Sequence, residues 1–565
     1  MKKLFYSIAL IFILPCLALS QDENVNIENQ FPLGSNLIDN AEKTAIDQNG
    51  NVLVGGTFGE EVDFDPSEGM VILDPLGSPD LFVASYTGDG AFNWVFNLGR
   101  ISLDNGMSIG GLGIDSENNV IVTGSFSLNV DFDPSGETNI QTAVLGQDAF
   151  VAKYSPDGDL IWVRQFGGTG SDLGTALVVG QNDEITFGIR YSAEIDLDPE
   201  EINEVLVTPV GGIDASAVRL DSDGNFLWSY NVDPDVENEI VSALAVTSSG
   251  EVVLGAIVDG SNQGGSPMQS MLVAVVNANG SESWSYDFMN LGEENTITHI
   301  AVAQDEESFY LGGTIREDTD FDPSGEANII QPTFTDPFLS KHSMSDGSLA
   351  WATYVQSTAL EDNCAGVHES NGLVFMAGSF DVQAIFDPND FSTLTFSNGS
   401  RDIFITVYES ETGAFLEAQT YGGAGGERAN DAFFGGENGM SLVGQFSSSM
   451  TLIEGETIAA QGFEDGFLAK YSYLYNLSSQ EGIERSDVLI YPIPSMDKVY
   501  IEIENLVSQR VEVKIINIVG QTVFEENYTY GNDRIAIDVS NLKKGIYLTE
   551  ISTGVSSVTK RVIKK

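Results

Sequence analysis

Apolar residues along this chain come in short runs rich in Val, Ile, Leu, Phe and Tyr, and each run ends in turn chemistry. Asp80-Leu-Phe-Val-Ala-Ser-Tyr86 and Asp148-Ala-Phe-Val-Ala-Lys-Tyr154 are typical, with a patterning that predicts buried strands. Between the runs stand Asn-Gly at 49–50, 371–372 and 438–439, and Asp-Gly or Asn-Gly at 89–90, 157–158, 223–224, 279–280 and 346–347. These dipeptides supply the positive φ that tight hairpins need. Beyond residue 20 no segment sustains the apolar spacing of a helix. The pattern predicts an all-β chain of antiparallel meanders.

The pattern also repeats. A short apolar strand ending in glycine recurs at Gly56, Gly124, Gly188, Gly255, Gly313, Gly378 and Gly444, at intervals of 58 to 68 residues. A Trp four residues after a turn glycine recurs at Trp94, Trp162, Trp228, Trp284 and Trp351, with Glu417 in the sixth unit. An acidic residue opens a later strand at Asp80, Asp148, Asp214, Asp336, Asp402 and Asp465, with Ser270 in the fourth unit. A lone four-stranded sheet buries little, so seven such units imply a seven-bladed β-propeller of four-stranded blades. The seventh unit stops after Tyr471 without an outer strand, while Ile27 to Gly34 stands unassigned, with Phe31 and Gly34 keeping the spacing of Phe96 and Gly99. The N-terminal strand is expected to close the last blade.

Val-Ala-Lys-Tyr, a turn Gly, Trp, a Phe-Gly-Gly strand end and Gly-Ser-Phe before an Asp-Phe-Asp-Pro loop are clearest between Ile101 and Gly167. Together they resemble the bacterial SBBP-type β-propeller repeat over roughly residues 30 to 472. The fourth unit departs furthest, with no Asp-x-Asp-Pro. The resemblance implies a propeller and an exported location, and no particular activity.

Composition sharpens this. The chain holds 84 acidic and 24 basic residues, a formal net charge of −60. That excludes a nucleic-acid binder, whose affinity rests on Lys and Arg at phosphates, and argues against anionic lipid. An apolar fraction of 42% is too high for a disordered acidic chain. Lys2 and Lys3 precede an apolar run from Leu4 to Leu14, and Ala18-Leu19-Ser20 offers a cleavage site, so residues 1–20 read as a secretory signal peptide too short to span a bilayer. No later stretch reads as a transmembrane segment. Without the leader one cysteine remains, Cys364, expected as a small buried residue, since His368 four positions on lies too far along an extended strand to pair with it.

After Tyr475 the charge balance shifts. From Glu481 onward 11 basic residues meet 12 acidic, whereas residues 21–479 hold 11 basic and 72 acidic. The propeller is therefore assigned to residues 21–475, a linker to 476–487 and a small immunoglobulin-like β-sandwich to 488–565. Tyr491-Pro492-Ile493-Pro494, Gly520, Leu542, Gly545, Tyr547 and the basic stretch from Lys560 resemble the C-terminal sorting domain of type IX secretion cargo, with Ile493 where the family usually has Asn. The resemblance implies the type IX secretion machinery as a partner. It places the protein as secreted or on the cell surface, outside the outer membrane of a Gram-negative bacterium.

Candidate chemistry sits in Asp-x-Asp-Pro at Asp63/Asp65, Asp131/Asp133, Asp196/Asp198 and Asp320/Asp322, reduced to Asp387 in the sixth unit. These loops should share a face with the links between blades, where Asp104, Asp172, Glu237, Glu294 and Asp362 fall, making one face acidic. Two readings stand: the Asp and Pro build the turn, or the carboxylates hold Ca²⁺. The aspartates opening the third strand read as blade-locking residues and the tryptophans as packing between blades. Gly422-Gly-Ala-Gly-Gly426 lacks the Lys-Ser/Thr of a phosphate loop. With no catalytic elbow or paired His ligands, the expectation is a non-enzymatic module binding a glycan or protein. A polysaccharide-acting hydrolase or lyase working through carboxylates, and a structural surface component, are the alternatives.

Overall fold

The computed structural model describes residues 25–473 and 488–565 apart from 37, 68, 78, 100–106, 200–203, 233–237, 262–266, 289–294, 325–327, 360, 436–438, 454–455, 492–494, 504–506, 518–521, 532–533 and 553–556. The expected leader and linker lie outside the described residues. The chain divides into two compact units, Met1–Leu474 and Tyr475–Lys565.

Among the described residues the first unit holds six four-stranded antiparallel sheets and a seven-stranded one, within which Asn363–Ser370, Leu373–Ile385, Leu394–Glu409 and Phe415–Gly423 form the same four-stranded meander. Blade one is Asn40–Ile46, Val52–Phe58, Asp80–Tyr86 and Phe92–Leu98, each strand pairing with the next. Blades two to six repeat that order, and the first strands of successive blades pack side by side until that of blade seven, Glu427–Gly435, returns to that of blade one. The sheets close into a β-propeller. Third strands such as Asp80–Tyr86 are buried at every position because both of their faces meet neighbouring blades. The outer edge of blade seven is Val25–Leu33, paired antiparallel with Asp465–Tyr473 through Phe31↔Leu468 and Leu33↔Gly466. Phe31 and Leu33 are buried, and the Phe31 ring lies 4.7 Å from that of Tyr86 in blade one.

Every first strand carries a β-bulge, between Ala41 and Lys43, Ile109 and Gly111, Gly174 and Ala176, Val241 and Ala243, Ile297 and His299, Cys364 and Gly366, and Ala429 and Asp431. Gly56, Gly124, Gly313, Gly378 and Gly444 stand opposite the residue before the bulge, where a Cβ on Gly124 would come within 1.9 Å of the Ser108 carbonyl oxygen. In blades three and four Ile189 and Ala256 hold that place, so the repeat glycines Gly188 and Gly255 sit one position off.

The tryptophans stitch each blade to the next. Trp94, Trp162, Trp228, Trp284 and Trp351 donate through Nε1 to the carbonyls of Pro156, Ser222, Ala278, Met344 and Ser410, at 2.7 to 3.3 Å. Their rings lie over the turn glycines Gly158, Gly224, Gly280, Gly347 and Gly413, whose positive φ lets the turn pass flat beneath the indole. On the closing strand Asn29 takes the Trp position and donates to the Gly88 carbonyl at 3.2 Å, joined there by Lys470 at 2.9 Å.

The second unit is a β-sandwich. One sheet is Val488–Tyr491, Lys498–Ile503 and Ile535–Asp538; the other is Thr522–Gly531, Val507–Asn517, Gly545–Ser552 and Ser557–Lys564. Alternating residues such as Val499, Ile501, Val511, Val513, Ile537 and Ile551 form its core.

Candidate functional site

The bulges shape a channel along the axis of the ring. Side chains at the bulge donate to the first strand of the next blade: Thr175 Oγ1 to the Val241 carbonyl at 2.6 Å, Ser242 Oγ to Ile297 at 2.5 Å, Thr298 Oγ1 to Cys364 at 3.1 Å and Asn430 Nδ2 to Ala41 at 2.9 Å. The last of these crosses from blade seven to blade one. The residues just past the bulge are Lys43, Gly111, Ala176, Ala243, His299, Gly366 and Asp431. Four are small and three titratable.

His299 Nε2 lies 3.2 Å from Asp431 Oδ1, while Asp431 Oδ2 accepts the Thr44 N–H at 2.8 Å. The pair joins blade five to blade seven, which are not neighbours. With Lys43 it lines a cavity of about 420 Å³. A second cavity of about 590 Å³ shares Leu112, Leu177, Val179, Val246 and Phe433 with the first and widens among the turns between first and second strands. This rim is clasped between blades. Asp183, at φ 59°, accepts both the N–H and the hydroxyl of Ser116, and Glu306, at φ 56°, does the same for Ser248. Lys43, His299 and Asp431 escaped the sequence reading, because only the bulge register brings them to one level. The rarity of His was their single visible signal.

The Asp-x-Asp-Pro loops are stapled from within. Asp131 Oδ1 accepts the N–H groups of Asp133 at 3.2 Å and Asn139 at 2.8 Å, and Asp133 Oδ1 accepts that of Ser135 at 2.9 Å. Asp63 and Asp65, and Asp320 and Asp322, repeat the arrangement, and Asp196 accepts from Asp198 and Val205. The intervening residue is the plug: Phe64, Phe132, Leu197 and Phe321 are fully buried. Tyr86 and Tyr154 donate to the carbonyls of Phe64 and Phe132 at 3.0 and 3.2 Å. The hydrogen bonds are those of turn-building, and among the described residues no three His, Cys, Asp or Glu side chains converge as a metal cluster.

Asp172 and Asp362, expected on an exposed acidic face, are buried at blade junctions, Asp172 accepting the Gly168 N–H of its own loop and Asp362 the Asp381 N–H of the second strand. Asp104, Glu237 and Glu294 lie outside the described residues. The aspartates opening the third strands are also buried and accept amides just upstream, as Asp80 does from Leu76 and Gly77. Burial, reinforced by Asp148, pushes the Asp172 carboxyl up to about 6. Asp362 and Glu427 rise to about 7, each through burial first and then a neighbouring carboxylate. The glycine run of 422–426 serves this close packing: a Cβ on Gly422 would strike Asp402, and one on Gly425 the Ser447 carbonyl.

His342 and the thiol are inside, and His368 is half-buried on the wall of the first cavity. His342 stacks on Phe309 and bonds the Gly347 carbonyl, and His368 stacks on Phe434; burial lowers both to about 4. Burial lifts the Cys364 thiol to about 12.

In the sandwich, Tyr491 pairs with Tyr500 and its hydroxyl donates to Glu502, and Leu542 packs against the core. Gly545 opens the strand in which buried Tyr547 donates to the Lys543 carbonyl at 2.8 Å. Lys560 lies on the final strand opposite Thr549, at the sheet edge. Pro492, Pro494 and Gly520 lie outside the described residues.

Residues 489–565 match the family described as the secretion system C-terminal sorting domain. That match marks the chain as cargo of the type IX secretion system, addressed to the cell surface or beyond it. Among the described residues no helix is long and apolar enough to cross a membrane. A stretch of 153 residues, 25% of the chain, is 26% identical to an uncharacterized WD repeat-containing protein of Acanthamoeba polyphaga mimivirus, and spans 11% of that protein. Similar solved structures include a chain of the mitotic checkpoint complex (10% identity, 82% of this chain and 100% of that one, TM-score 0.41). Others are the polysaccharide lyase Uly1 (8%, 77% and 90%, TM-score 0.41) and a protein of unknown function from Dyadobacter fermentans (9%, 80% and 100%, TM-score 0.36).

Proposed function

We propose that this exported propeller is a binding module that takes a glycan or protein ligand at the mouth of its central channel. The observation that carries the reading is where the titratable groups stand. The carboxylates raised to about 6 or 7 are walled into blade junctions, whereas the channel wall mixes aliphatic side chains with Lys43, His299, His368, Asp431 and threonine and serine hydroxyls. A carboxylate hydrolase needs a raised acid and a second carboxylate facing one cleft. Such a layer instead suits recognition, with apolar contact from Leu177, Val179 and Phe433 and a few polar groups fixing orientation. Clasped turns keep the rim preformed, which lowers the ordering cost of binding.

The test is a glycan array and a surface-protein pull-down with the full chain, run beside a hydrolysis screen on the same polysaccharides. Binding that weakens about tenfold or more in Lys43→Ala or Phe433→Ala, without product release, supports the reading. Released product, or binding untouched by both variants, refutes it.

A further inference from the structure

Five of the seven blade junctions bring together two acidic positions, one opening a third strand and one leading into the next blade: Asp148 with Asp172, Asp214 with Glu239, Asp336 with Asp362, Asp402 with Glu427, and Asp465 with Asp39. The other two hold Ser270 with Asn295 and Asp80 with Met107. Most of the third-strand aspartates are satisfied, Asp214, Asp336, Asp402 and Asp465 accepting on both oxygens. Asp80 likewise has both oxygens satisfied, Oδ2 by Leu76 N–H at 2.6 Å and Asn97 Nδ2 at 2.9 Å, and Oδ1 by Gly77 N–H at 3.0 Å.

Asp148 sits in the same kind of loop, yet both of its donors, Val144 N–H at 3.1 Å and Gln165 Nε2 at 2.7 Å, reach Oδ2 and leave Oδ1 with none. Across the junction Asp172 takes the Gly168 N–H on Oδ2 at 2.8 Å and has the Ser192 backbone amide as a lesser contact, while Oδ1 has no hydrogen bond of ordinary geometry. Both side chains are 0% exposed. Blades six and seven repeat the feature: Glu427 Oε2 accepts the Gly423 N–H at 3.0 Å and Oε1 is bare. The charges acting on Asp172 and on Glu427 are acidic, Asp148 and Asp402, with no basic group among them.

We propose that the paired junction carboxylates are cation sites, Asp148 with Asp172 foremost and Asp402 with Glu427 as the second, and that they take Ca²⁺. Buried anionic oxygens without donors need a positive partner. Hard carboxylate oxygens suit calcium, which completes its shell of about 6–8 oxygens from carbonyls and water. One ion would neutralise both members of a pair and bridge adjacent blades. The sites differ from the Asp-x-Asp-Pro loops, whose paired aspartates staple their own turns.

The test uses the full chain, stripped with EDTA and titrated with calcium alone, reading bound metal per chain and melting temperature. Wild type is expected to bind more than one calcium and to melt a few degrees higher at calcium about a hundredfold above Kd. Asp172→Asn should lose one ion, Asp402→Asn another, and Asp131→Asn none; should one junction variant not fold, the other carries the comparison. No bound calcium in wild type, as a shared proton would give, overturns the proposal. So does a full complement in both junction variants, or a loss confined to Asp131→Asn.

Discussion

Trp228 offers a direct measure of what holds neighbouring blades together. Its side chain is 9% exposed, its Nε1 donates to Ala278 in the next blade at 3.0 Å, and the fully buried Arg219 guanidinium lies 4.9 Å from its ring centroid. Truncation to alanine removes ~3–5 kcal/mol of packing, and loss of the cation–π contact in a desolvated site adds about 1–2. Trp228→Ala is therefore expected to cost about 4–6 kcal/mol. Trp228→Phe keeps an aromatic ring but loses the N–H and part of the indole's volume, and should cost about 2 kcal/mol. Gly280→Ala probes the same contact from below. Its φ of +85° costs a Cβ about 1–2 kcal/mol, and that Cβ would stand 2.7 Å from the indole, so the total should exceed the backbone cost alone. Urea unfolding of the propeller followed by circular dichroism would order the variants. A loss below about 1 kcal/mol for Trp228→Ala, or equal losses for the Phe and Ala variants, would refute the clasp as a stabilising contact.

Three further outcomes follow from the same geometry. Asp172, Asp362 and Glu427 have folded pKa values of about 6, 7 and 7, above the usual 3.8 to 4.5, so the fold favours their protonated forms. That stability is complete below about pH 4 and lost as pH rises through 6 to 7. In EDTA the urea midpoint should climb from pH 8 to pH 5.5, and combining Asp172→Asn, Asp362→Asn and Glu427→Gln should flatten the profile; an unchanged slope would count against these shifts. Phe31→Ala with Leu33→Ala should remove about 5 kcal/mol or more by releasing the closing strand, with partial rescue by a peptide spanning residues 25–34; equal stability would show that another contact closes the ring. Deleting residues 488–565 should retain the chain in the periplasm on cell fractionation, and normal surface delivery without them would contradict the sorting assignment.

The architecture was legible because each unit repeats its own local chemistry. Asp-Gly turns, the Trp position and the terminal Phe31–Gly34 fragment are consequences of backbone geometry that recur in the chain in order. What was hidden depends on register. Gly188 and Gly255 look equivalent to Gly124 in sequence, but the place opposite the residue before the bulge is held in their blades by Ile189 and Ala256. The Asp-x-Asp-Pro motif drew attention to its carboxylates, whereas the residue between them does the packing. His299 and Asp431 stand 132 residues apart and meet only because the ring curves back on itself. The burial of Asp172 and Asp362 likewise follows from how adjacent sheets abut, which no single repeat encodes.

The closing strand also sets an order of events. Phe31 is made early and its partner Leu468 late, so blade seven cannot form until nearly the whole ring has emerged. Joining such distant segments adds little to the equilibrium cost, since loop entropy grows only with the logarithm of length, but it delays completion. Until Val25–Leu33 pairs with Asp465–Tyr473 the ring stays open, with blade seven one strand short. Closure therefore joins the two ends of the propeller sequence in one sheet, so that completing the ring requires both ends at once.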